Sequence, residues 1–116
     1  RTKKLEPVRL KANKDKKVDQ LISVENIKGY VNDDKLRETG EEYKLKLLMT
    51  YEESYNKGYT STISFDVDPG RMVWVTQLKH SKDLEIEPGK YMKKPLITNI
   101  CDAETGEVLD FTWQGN

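Results

Sequence analysis

Between residues 43 and 67 the chain runs through one pattern twice. Tyr43, Leu45, Leu47, Met49 and Tyr51 alternate with Lys44, Lys46, Leu48 and Thr50. After Glu52–Gly58 the same period returns, with Tyr59, Ser61, Ile63, Phe65 and Val67 alternating with Thr60, Thr62, Ser64 and Asp66. A period of two is the signature of a strand with one buried face, whereas a helix would scatter these side chains around its circumference. Two matched runs joined by seven polar residues predict a long-looped antiparallel hairpin, 43–51 against 59–67. Leu45, Leu47, Met49, Ile63, Phe65 and Val67 are then core, and Phe65→Ala is expected to cost about 3–5 kcal/mol.

Further strands are expected around this hairpin. Residues 8–12 alternate apolar and basic, residues 72–78 (MVWVTQL) are apolar on both faces and read as central, and Leu84 with Ile86 offers a short strand before Pro88-Gly89. Residues 96–101 and 108–113 flank a turn in which Gly106 suits the left-handed position. Asp68-Pro69-Gly70 is a turn by composition. A helical turn near Val18 followed by a strand over 22–31 is expected, and residues 32–42, with one apolar side chain, read as an exposed loop. The sum is a mainly β fold, a small antiparallel barrel or compact sandwich of six to seven strands with at most one or two short helical turns. An open sheet with one covering helix is the fallback.

At 116 residues this is one domain. Charged residues (34%) nearly match hydrophobic ones (35%), which predicts a thin core beneath a heavily charged exterior. The charges cancel overall but are unevenly placed. Residues 1–17 hold eight basic against two acidic side chains, and the rest holds twelve against eighteen. The chain therefore divides into a basic N-terminal arm, 1–17, including a possible first strand, and a single β-rich domain, 18–116. The composition, rich in Lys, Glu and Tyr with only two Ala, is of the kind found in low-GC bacteria and their phages.

Catalytic chemistry is hard to place on this chain. The single histidine, His80, sits in a loop beside Ser81 and Asp83, too crowded in sequence for a convergent triad, and reads as a solvated loop residue. Cys101, alone, excludes an intramolecular disulfide or a thiolate cluster, and reads as a buried, inert thiol in a reducing cytoplasm. Asp66-Val67-Asp68 and Asn32-Asp33-Asp34 read as charged turns rather than cation sites. Glu87-Pro88-Gly89-Lys90 lacks the following helix that a phosphate loop needs. No cofactor, no metal and no enzymatic activity is expected. No apolar run spans a membrane, and the start at Arg1 rather than Met suggests trimming, which leaves a removed leader or anchor open.

Binding is the remaining class. The first expectation is a non-enzymatic protein-interaction module, of the inhibitor, immunity, accessory or virion type, with another protein as partner. Its contact residues are Tyr55 at the hairpin tip, Trp74 on an outward strand face, and Tyr30. The alternative is a single-stranded nucleic-acid-binding small β-barrel, using Lys44, Lys46, Arg71, Lys79 and Lys11 with the basic arm. The near-neutral composition weighs against the alternative. A small-molecule carrier is disfavoured because so short a chain leaves little room beyond a filled core.

Overall fold

The computed structural model describes residues 8–13 and 17–115. Six strands form two antiparallel sheets. Strands β1 (Glu42–Thr50), β2 (Met72–Lys79), β5 (Leu96–Asp102) and β6 (Val108–Gln114) make a four-stranded sheet in the order β1-β2-β5-β6. Strands β3 (Leu84–Glu87) and β4 (Lys90–Met92) pair only with each other. Two short helices, α1 (Asp33–Thr39) and α2 (Tyr51–Asn56), and two 3-10 turns, Val18–Gln20 and Val24–Asn26, complete the elements. The larger sheet stays open, with β1 and β6 at its edges, so the expected closed barrel is not formed.

The main correction concerns the central hairpin. Strand β1 forms where expected but pairs with β2, Met49 opposite Val73 and Leu47 opposite Val75. Residues 59–67 make no strand; their one bridge is a parallel contact between Val67 and Leu10. The cause is local. Thr50 accepts a hydrogen bond from the Glu53 N–H at 3.1 Å, and the Glu53 carboxylate accepts from the Thr50 N–H at 3.0 Å. This reciprocal capping box starts α2 where the hairpin loop was expected. The chain then turns away from β1, and residues 59–67 cross the sheet as covering coil. Phe65 is 92% exposed and Ile63 and Leu47 are about half exposed, so none of the three is core, while Met49 and Val67 are buried.

Three other expectations also fall. Residues 22–31 form a 3-10 turn and coil instead of a strand, and 8–12 contribute only the Leu10 bridge. The loop expected over 32–42 contains α1, capped by Asn32 Oδ1 accepting from the Lys35 N–H at 2.9 Å. Gly40, at φ +77°, closes that helix in the left-handed conformation. The central position of β2, the strand from Leu84, the final hairpin, the turn at Asp68 and the positive φ of Gly106 are all as expected.

The two faces of the larger sheet carry different covers. On one face Met49, Val73, Val75 and Ile100 pack with Leu10, Tyr51 and Val67 to form the core. Thr60 donates to the Asp110 carboxylate, and the Ser64 N–H donates to the Tyr51 hydroxyl at 2.8 Å, so the 59–67 coil is tied across that face. On the other face lie Trp74, Thr76, Leu78 and Cys101, roofed by residues 21–31. A bulge at Lys44 moves Tyr43 onto this second face, away from Leu45. There Tyr43 stacks on Tyr30, with centroids 5.0 Å apart and planes 7° from parallel.

Candidate functional site

The structure scatters the residues expected to bind a partner. Trp74 lies under the 21–31 roof, and its Nε1–H donates to the Ile22 carbonyl at 2.7 Å. The roof is fixed again where the Ile22 N–H donates to Ala103 O at 2.8 Å and the Lys28 N–H to Gly106 O at 3.0 Å. Trp74 therefore bonds within its own chain, to the roof. Tyr30 is half-buried in its stack with Tyr43, whose hydroxyl accepts from the Val31 N–H at 2.9 Å. Tyr55 does expose its ring, but from helix α2 rather than a hairpin tip.

The basic candidates are dispersed as well. Arg71 is buried: its Nε–H and Nη2–H grip Asp102 at 2.6 and 2.9 Å, and Nη1 reaches Glu104 at 3.0 Å. Nη1 also donates to Lys11 O at 3.0 Å, so the backbone of Lys11 serves this cluster while its side chain points to solvent. Lys44 pairs with Glu42 at 2.9 Å, and Lys79 donates to the Lys94 carbonyl. Lys46 is the one basic candidate that meets aromatic rings. Its Nζ donates to the Tyr30 hydroxyl at 3.0 Å and lies 5.5 and 5.4 Å from the Tyr30 and Tyr43 centroids. The hydrogen bond with Tyr30 holds the Lys46 ammonium above its ordinary pKa, helped by the charges of Asp33 and Glu25.

The unused chemical groups are largely paired. His80 lies in the loop after β2, partly exposed, with its Nδ1 2.8 Å from Glu41 Oε2, beside a cleft of about 320 Å³ lined also by Glu38, Thr39, Ser81 and Lys82. The Ser81 hydroxyl donates to the Thr39 carbonyl at 2.5 Å, so the loop after β2 is pinned to the end of α1. Burial pushes the Cys101 thiol up to about 11, with the neighbouring Asp102 charge adding to the effect. Among the described residues no group of three or more His, Cys, Asp or Glu side chains is placed to hold a metal ion, and no helix is long and apolar enough to cross a membrane.

What sequence reasoning missed is that the expected strand over 108–113 lies at the edge of the large sheet with two aromatic rings exposed. β6 is an edge: β5 pairs with it on one side, and no described residue pairs with it on the other. Phe111 lies opposite Asn99 and Trp113 opposite Ile97, so both rings stand on the roofed face but beyond the roof. They remain 55% and 44% exposed, with centroids 5.9 Å apart. Val108, opposite Cys101, extends the row on the same face and is also exposed. Near it, Asn26, Lys28, Gly29, Thr105, Gly106 and Glu107 line a cleft of about 560 Å³ that opens between the roof and the β5–β6 turn. Asp110, the one charged residue of β6, belongs to the core face and is bonded to Thr60.

An unpaired strand offers a ladder of free N–H and C=O groups, and a row of aromatic side chains along it offers apolar area in the same place. The chain matches no protein-family model, no curated protein and no solved structure.

Proposed function

We propose that this chain is a non-enzymatic protein-interaction module that docks an additional β-strand of a protein partner along the free edge of β6. The carrying observation is the pair Phe111 and Trp113, both about half exposed on one face of an edge strand. In strand addition the backbone ladder supplies affinity, and alternate side chains, here Val108, Phe111 and Trp113, supply specificity. Natural sheet edges are commonly blunted by Lys or Pro, and β6 contains neither. The test is selection of random peptides displayed on phage against the full chain, with a Phe111→Lys/Trp113→Lys double variant as counter-selection. Because about half of each ring is exposed, the double variant is expected to keep the fold, which a cooperative melting curve checks. Enrichment of extended, alternating apolar peptides by the native chain alone supports the reading. No enrichment, or equal capture by the variant, overturns it.

Single-stranded nucleic-acid binding is the second reading, supported by one cluster, Lys46 over the Tyr30–Tyr43 stack. Asp33 and Glu25 close to that ammonium weaken its pull on phosphate. Fluorescence anisotropy of labelled oligonucleotides at two salt concentrations tests it: affinity that falls steeply with salt and is lost in Lys46→Ala supports this reading, and no binding at low salt overturns it.

A further inference from the structure

The strand-docking reading leaves open which strand is docked. We infer that it is β6 of a second copy, so that two chains join edge to edge into one eight-stranded sheet; this rests on the reading of β6 as a docking edge. Three observations select the second copy.

The first is the side-chain pattern. Residues directly across an antiparallel pair share a face, so self-pairing about a two-fold axis puts Phe111 and Trp113 of both copies on one continuous face. An apolar row then meets an apolar row, and the contact is self-complementary. The second is charge. β6 carries a single charged side chain, Asp110, on the opposite face from the aromatic row and already bonded to Thr60, and the whole chain has a net charge of zero. Two copies therefore approach without net repulsion.

The third observation is the contrast between the two edges. β1, the other edge, carries Glu42, Lys44 and Lys46, whereas β6 carries only Asp110; each edge has one bulge, at Lys44 in β1 and at Leu109 in β6, so charge is what separates them. Charges are a usual means of stopping a sheet from growing. One charged edge and one nearly uncharged edge give a closed pair of molecules instead of a filament. Size sets the class of that contact. Aromatic side chains bury about 150–250 Å² each, so the exposed parts of Phe111 and Trp113 offer roughly 200 Å² per copy. With Val108 and the paired backbone the interface stays at the low end, below about 1,200 Å², the size of transient contacts, so the dimer forms and breaks with concentration.

Sedimentation equilibrium of the full chain, from low micromolar to near-millimolar concentration, tests the inference together with hydrogen-exchange mass spectrometry at both ends of that range. Expected are a rise of the average mass from one chain to two, slower exchange confined to the 108–114 amides at high concentration, and loss of both in the Phe111→Lys/Trp113→Lys variant, whose melting curve still shows one cooperative transition. A dimer whose protected amides lie elsewhere overturns the inference. So does a chain that stays monomeric throughout. If that monomer's β6 amides are protected by peptides selected from the displayed library, the partner is a foreign strand and the docking reading stands. If no peptide protects them, the reading falls too.

Discussion

Arg71 and Asp102 form a buried, two-point ion pair: Nε to Oδ1 at 2.6 Å and Nη2 to Oδ2 at 2.9 Å, with the Asp102 carboxylate fully inaccessible to solvent. It ties the start of β2 to the end of β5. The Thr105 N–H adds a third hydrogen bond at 2.8 Å, so the same carboxylate also shapes the β5–β6 turn.

Arg71→Met is expected to cost about 3–5 kcal/mol, because it leaves a buried carboxylate without its partner. The pH dependence carries the signature. Burial alone would raise the Asp102 pKa, but hydrogen bonds from Arg71 and Thr105 outweigh it and hold the carboxyl below its ordinary range. A depressed folded-state pKa stabilises the protein above the unfolded pKa, about 3.9, and the contribution disappears as pH falls through the lower, folded value. In Arg71→Met burial dominates, the carboxyl protonates on folding, and the variant loses less as the medium is acidified. Urea denaturation from neutral pH down to about pH 3 is expected to show the gap between the two proteins narrowing. A constant gap would mean that Arg71 acts by packing alone.

Phe65→Ala is expected to change stability by less than about 0.5 kcal/mol, since the ring is 92% exposed. Ile100→Ala, in the fully buried centre of the sheet, is expected to cost about 2–5 kcal/mol. Denaturation curves of the two variants compare them directly. A large loss in Phe65→Ala would reinstate the 43–51/59–67 hairpin and displace β2 as the partner of β1.

The misreading at Phe65 shows which kinds of information the sequence carried. β2 and the final hairpin were legible because their apolar runs are long and their turn chemistry, with Gly106 at φ +79°, is local. The signals for α1 and α2 were also local: Asn32 with acidic residues after it and Gly40 beyond the end, and Thr50-x-x-Glu53. They were outweighed by alternation and by the scarcity of apolar residues in 32–42. Alternation in 59–67 is genuine, but Thr60, Thr62, Ser64 and Asp66 fill its other positions and no neighbouring strand claims it, so it remains coil. The pairing of β1 with β2 across helix α2 is a non-local choice that periodicity does not encode. At the candidate site, Phe111 and Trp113 were recognisable as strand residues, but their exposure depends on β6 being outermost and on the roof ending short of it. Trp74, by contrast, looked like a surface anchor because nothing in residues 21–31 announces that they fold over it.

Trp74→Phe tests that roof. The substitution keeps most of the ring and removes the Nε1–H that bonds the Ile22 carbonyl at 2.7 Å. Leaving that carbonyl unpaired in a half-buried site is expected to cost about 1–3 kcal/mol. The more telling readout is local. Amide exchange over residues 21–31 is expected to accelerate more than exchange in β2 and β5, since the roof is held at few points and opens before the sheet does. Uniform acceleration across all strands would mean that roof and sheet unfold as one unit.

Cys101 gives the last prediction. Its side chain lies under the roof beside Trp74, opposite Val108, and is buried. Burial raises the thiol to about 11, and the adjacent Asp102 charge pushes the same way, so at pH 8 very little thiolate is present. The thiolate is the nucleophile, and here it is both scarce and covered. Native protein at pH 8 is therefore expected to react with a disulfide reagent far more slowly than the unfolded chain. Because the cover is the roof rather than the core, labelling is expected to speed up in Trp74→Phe at denaturant concentrations too low to unfold the sheet. If the variant labels no faster than the native chain below the unfolding transition, Cys101 is reached only by global unfolding, and Trp74 is not what keeps the roof closed.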